Sequence, residues 1–151
     1  MCIRDRLGDI AIAQRDLPTA RDAYKNALDI RERLAAQDPD NADWQHDLSV
    51  SHNKLGDIAH AQGDRSDART AYQNALDIRE RLAAQDPNNT EWQRGLAVSY
   101  YNIAQLDGED KQSYWDRAYI TLNTLKMADK ILPIDKKWLE GLTKNWSGAG
   151  Q

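Results

Sequence analysis

The 151-residue chain contains no phenylalanine, one cysteine and four prolines. A single thiol, Cys2, closes no internal disulfide and builds no metal cluster, so neither covalent staples nor structural zinc organises the fold. No apolar run approaches the roughly 18 residues that a membrane helix needs, and no membrane partner is expected. Basic residues are not in excess: 20 Lys and Arg stand against 24 Asp and Glu, for a formal charge of −4. That balance argues against nucleic acid, whose binding surfaces are clustered and basic. Signatures of catalysis are missing as well, with no Gly-rich phosphate loop, no His-x-x-x-His pair and no nucleophile elbow. What remains is a chain with 29% charged residues and 20 alanines, a composition that favours helix.

The chain repeats itself. Leu7-Gly8-Asp9-Ile10-Ala11 returns as Leu55-Gly56-Asp57-Ile58-Ala59, and Asn26 to Pro39 returns unchanged as Asn74 to Pro87. Residues 7–54 laid on 55–102 agree at 32 of 48 positions without a gap. A looser third copy starts at Ile103, with Pro133 in the place of Pro87 and Trp138 in the place of Trp92.

Each copy reads as two helices. From Trp44, apolar and small positions step by three and four through Leu48, Leu55, Ile58 and Ala59, the helical spacing. Gly63 suits a left-handed helix end and Asp64 caps the next start. The second helix runs through Ala68, Ala71, Tyr72, Ala75, Leu76, Ile78 and Leu82, and Asp86-Pro87-Asn88-Asn89 ends it. In the first copy Pro18 stands in a first turn, where its missing N–H costs little. The spacing predicts helices near 2–13, 17–37, 42–61, 65–85, 90–106, 112–131 and 136–145. A helix pair of this size cannot bury both its apolar faces alone, and stacking of copies solves the problem. The expected fold is all-α, a right-handed solenoid of stacked antiparallel helix pairs with about seven helices.

The unit resembles the tetratricopeptide repeat on Leu7, Gly8, Ala20, Tyr24 and Ala27, and again on Leu55, Gly56, Ala68, Tyr72 and Ala75. Gly and Ala stand where helix backbones approach closely, and the ring fills the gap between them. The usual period is about 34 residues, whereas this one is 48, as in long-helix bacterial variants of the kind found in kinesin-light-chain-like arrays. The resemblance covers roughly residues 7–133, in units of about 7–39, 40–87 and 88–133. It implies a protein-interaction scaffold that takes a partner's peptide or helix in a concave groove, with no cofactor and no enzymatic activity. Two other roles remain open: a regulatory C-terminal tail of a larger signalling enzyme, or a module that self-associates through its exposed N-terminal repeat face.

Residues 1–6 match neither other copy, and five identities begin abruptly at Leu7. From this switch in mid-helix, residues 1–6 are expected to be a non-native leader on a C-terminal fragment, against the alternative of a first repeat that has diverged. Residues 134–151 are expected to form a capping helix and a flexible tail. A cytoplasmic location is expected.

Candidate site residues come from comparing the copies, since shared positions hold the fold and differing ones are free to serve a partner. In the first helix of the pair the differences fall at His46/Arg94, Ser49/Ala97, Asn53/Tyr101, Asp57/Gln105 and His60/Gly108, a stripe stepping by three and four. The groove is therefore assigned to His46, Ser49, Asn53, Asp57, His60, Arg94, Tyr101 and Gln105, against the alternative of a solvated face that has drifted. His52/Tyr100 lies beside the stripe. Lys54 and Arg94 alone are too few to mark a clamp for a partner's terminal carboxylate. The separations of His46, His52 and His60 do not chelate a metal. Asp9 and Asp57 share one repeat position, and a carboxylate pair can do acid–base work, yet copy three has Gln105 there and a structural role is the simpler reading. Trp44, Trp92 and Trp138 share one repeat position and are expected to pack between units. Trp115 and Trp146 lie outside that register, either capping the last pair or marking an exposed contact.

Overall fold

The computed structural model describes residues 16–106 and 108–144. Among them are six helices: α1 (Leu17–Gln37), α2 (Ala42–Ala61), α3 (Arg65–Gln85), α4 (Thr90–Ala104), α5 (Lys111–Met127) and α6 (Pro133–Thr143). The expected helix near 2–13, the leader, Gly8, Asp9 and Trp146 lie outside the described residues. Two compact units divide between Ile78 and Arg79, within α3.

In the first unit the local signals act as read. Asp16 caps α1 by accepting the Thr19 N–H at 3.3 Å, and Pro18 sits in the first turn. Asn41 caps α2 by accepting the Trp44 N–H at 3.1 Å. Gly63, at φ 77°, ends α2. Its N–H reaches the His60 carbonyl at 3.0 Å and the Asp64 N–H reaches Ala59 at 2.9 Å, the paired bonds of a left-handed helix terminus. Asp64 then caps α3 at the Asp67 N–H, 3.1 Å away. Helix α1 packs on α2, with Ala20, Tyr24 and Ile58 buried between Leu17 and Leu55. Gly56 lies directly under the Tyr72 ring: a Cβ there would stand 2.5 Å from two ring carbons. The glycine is thus a packing requirement, which is what the Leu-Gly and Tyr positions of the repeat implied.

The second unit begins with the end of α3 and contains α4, α5 and α6. Asn89 repeats the cap of Asn41, accepting the Trp92 N–H at 3.1 Å. Ala97, Ala118, Leu122, Leu125, Leu139 and Leu142 form the core, flanked by Tyr100, Tyr101, Trp115, Tyr119, Ile131 and Trp138. Ala118, Leu122 and Leu125 step by four and three, as Ala68, Tyr72 and Ala75 do in the preceding pair. The third copy therefore resumes 50 residues after the second, with two residues added in the turn before α5. Four are lost again before Pro133.

Three boundaries of this unit depart from expectation. Helix α4 stops at Ala104 rather than 106, because the Leu106 N–H turns back to the Ile103 carbonyl at 3.0 Å in a tighter last turn. Helix α5 stops at Met127 rather than 131. Asp129 adopts φ 57°, and the Lys130 N–H closes on Leu125 at 2.9 Å. Aspartate tolerates that left-handed conformation better than most side chains. Helix α6 starts at Pro133 rather than 136. Proline presets a helical φ at a first turn and holds the preceding residue extended, and Leu132 has ψ 148°.

Candidate interaction site

Helix α2 carries the first half of the expected stripe. Asp57 and His60 are exposed, His46 and Asn53 are half-buried, and Ser49 is fully buried. At 100° per residue Ser49 lies about 80° around the helix from Asp57, far enough to turn it into the packed side. Its hydroxyl donates to the His46 carbonyl at 2.7 Å, so Ser49 belongs to the interior of the unit. Asp57 is braced from two sides: Tyr72 donates its hydroxyl at 2.6 Å and the Asn53 amide donates at 3.4 Å. Burial, with the Asp57 carboxylate as hydrogen-bond partner, holds the Tyr72 phenol well above its ordinary pKa. The Lys54 ammonium lies over the Tyr24 ring, 5.1 Å from its centre. Among the described residues no three of His, Cys, Asp and Glu come together as a metal-ligand set, and no helix is long and apolar enough to cross a membrane.

The second half of the stripe lies on α4, and two of its three residues are engaged within their own unit. Arg94 donates through Nε to Asp135 of α6 at 2.6 Å, and Asp135 is 3% exposed. That hydrogen bond raises the pKa of Arg94. The equivalent positions in earlier copies are Asn41 and Asn89, which cap helices; with α6 starting at Pro133, Asp135 falls inside the first turn and takes a side-chain partner instead. Tyr101 meets two rings edge-on, Trp115 at 5.3 Å and Trp138 at 5.1 Å. Gln105 ends α4 and is exposed. Trp115 thus packs into the last helix group, one of the two roles expected of it.

Two polar pairs inside the units, one part-buried and one buried, are absent from the stripe, although the copies contained the signal. Arg31 donates to Ser51 in the first unit. Arg79, 8% exposed, donates to Ser99 at 2.8 Å and to the Gly95 carbonyl at 3.2 Å in the second. Arg31/Arg79 and Ser51/Ser99 are unchanged between copies, as befits charged groups that must stay paired once buried.

Short antiparallel helix pairs, joined by capped turns and repeating in sequence, define a helical-repeat protein. Residues 42–88, which hold α2, α3 and the turn that follows, match the family model of the tetratricopeptide repeat. The chain is a tetratricopeptide-like repeat protein. No curated protein matches it. Repeats of this family are protein–protein interaction modules and typically have no catalytic role.

Proposed function

We propose that the chain binds a peptide or helical segment of another protein on the first helix of a pair, each unit offering its own face, α2 in the first and α4 in the second. The observation that supports the reading is the contrast between copies. Packed positions such as the half-buried Arg31 and its buried counterpart Arg79, and the buried Ser51/Ser99, are unchanged, whereas the exposed positions Asp57/Gln105 and His60/Gly108 differ. In this reading Asp57, His60 and Gln105 make the contacts. Asn53 orients Asp57, while Arg94 and Tyr101 hold α4 against α6 and act through position, not touch. A helix face held by its neighbours is preorganised, which reduces the ordering cost of binding. No chemistry is performed.

The test is selection of peptides from a random display library on the 151-residue chain, followed by affinity measurement on variants. His60→Ala combined with Gln105→Ala should weaken the selected peptides by about tenfold, the equivalent of one lost hot-spot contact. Unchanged affinity, with loss on Asp29→Ala in α1 instead, would overturn the assignment.

A further inference from the structure

A cleft of about 320 Å³ opens in the first unit on a different side of α2 from the variable stripe. Its floor is His52, Leu55 and Ala59, which step by three and four. One wall is α1, with Lys25, Leu28 and Glu32, and the other is α3, with Thr70, Ala71 and Asn74. One end is closed by Arg21, whose guanidinium holds the Asp67 carboxylate at 2.5 Å and the Gln62 side-chain Oε1 at 2.9 Å.

Comparison with the second unit shows what this cleft lacks. There, Glu80 accepts the Tyr100 hydroxyl at 3.2 Å, and the Arg117 guanidinium lies over the Tyr100 and Tyr114 rings at 5.8 and 5.4 Å. The counterpart of Glu80 is Glu32 and that of Tyr100 is His52, which offers Glu32 no such bond. Lys25 has also lost its counterpart's bond: Gln73 donates to Asp77 at 3.1 Å. Among the described residues, Lys25 and Glu32 enter no hydrogen bond or ion pair. Burial lowers the pKa of His52 against the pull of Glu32, so the imidazole on the cleft floor adds no charge at neutral pH.

We infer that this cleft is a second binding site, for an extended peptide segment of a partner protein that carries one basic and one acidic side chain about 10 Å apart. The spacing follows from α1: seven residues at 1.5 Å rise place Lys25 and Glu32 about 10 Å apart along the helix. An extended segment in the polyproline II conformation, with three residues per turn and a rise of about 3.1 Å, brings every third side chain back to the same face about 9 Å further on. The basic side chain meets Glu32, the acidic one meets Lys25, and small residues between them lie on Leu28 and Leu55. Burial of the apolar stretch and pairing of two otherwise unpartnered charges are the recognising forces.

The experiment is a titration of the isotope-labelled full chain, followed by amide and imidazole shifts, with the capped tetrapeptide Arg-Ala-Ala-Glu and its uncharged analogue Gln-Ala-Ala-Gln. Shifts should appear at His52, Thr70 and Asn74 with the charged peptide and be absent with the uncharged one. Glu32→Lys, whose fold is checked by circular dichroism, should weaken Arg-Ala-Ala-Glu by about tenfold and favour Glu-Ala-Ala-Glu instead. No shift at millimolar peptide, or a preference untouched by Glu32→Lys, would overturn the site. Shifts confined to Asn53, Asp57 and His60 would overturn it too, and would assign the peptide to the α2 stripe. Failure here leaves that stripe standing, since the two surfaces share no residue.

Discussion

Replacing Gly56 by alanine is the sharpest test of how the first unit packs. The new methyl would lie 2.5 Å from the Tyr72 Cδ1 and Cε1 atoms and 3.1 Å from Cγ, far inside van der Waals contact. The ring cannot swing aside freely: Tyr72 is 4% exposed and its hydroxyl is tied to Asp57 at 2.6 Å. Overpacking of this kind costs about 1–3 kcal/mol, and a pinned ring places the cost at the upper end. Alanine also recovers about 1 kcal/mol of helix propensity relative to glycine. The net expectation is a loss of about 1–2 kcal/mol, or a fall of roughly 3–6 °C in Tm for a chain of this length. Two glycines serve as controls in the same urea and thermal melts. At Gly95 the nearest atoms to an added Cβ are Arg79 Nε and Cδ at 3.6 and 3.7 Å, and at Gly141 nothing lies within 4 Å. Both Gly95→Ala and Gly141→Ala should therefore stabilise by up to about 1 kcal/mol. A Gly56→Ala midpoint equal to or above that of the parent, while the controls behave, would refute the close-contact argument.

Three further outcomes follow from buried polar groups. Ser99→Ala removes the acceptor for Arg79 at 2.8 Å and should cost about 1–3 kcal/mol by denaturant melts; Ser51→Ala, whose Arg31 is half-exposed, should cost less. Arg94→Ala leaves the buried Asp135 carboxylate without its 2.6 Å partner and should destabilise by about 2 kcal/mol, below the full cost of a wholly buried pair because Arg94 is partly exposed. Asp135→Asn should cost less than Arg94→Ala, since it removes the charge with the pair. Burial, with the Glu80 carboxylate nearby, pushes the Tyr100 phenol up to about 12, against an ordinary value of about 10. Between those values the unfolded chain has released a proton that the folded one keeps, so stability falls as pH rises through that window. Urea midpoints of the parent should decline there more steeply than those of Tyr100→Phe; equal slopes would contradict the shift.

Much of this protein was legible in the chain because repetition gives the same evidence twice. The ends of α1, α2 and α3 follow from local groups: Asp16 and Asn41 satisfying N–H donors, Gly63 adopting the left-handed conformation, Asp64 starting the next helix. None of these needs a distant partner, so sequence alone carries them. The third copy was less legible because its punctuation changes chemistry. Asp129 does in α5 what a glycine does after α2, and Pro133 starts a helix where its counterparts Pro39 and Pro87 lie between helices. The offset of the third copy emerged only from which of its residues are buried.

The stripe shows the same divide at the level of side chains. A difference between copies identifies a position that tolerates change, and helical periodicity places such positions on one side of α2 and α4. Periodicity does not say what stands opposite. Ser49 turned inward because it sits about 80° from Asp57 around the helix, and Arg94 and Tyr101 were drawn into contacts with α5 and α6 from far along the chain. The sequence by itself determined the helices, their pairing and the likeness to the tetratricopeptide repeat, since these rest on backbone hydrogen bonds and local periodicity. Only the tertiary structure decided which polar side chains are spent on holding each unit together and which are not, because that depends on neighbours in other helices. Arg94 with Asp135, separated by 41 positions, went to the first group; Lys25 and Glu32, lining a cleft shaped by three helices, stayed in the second.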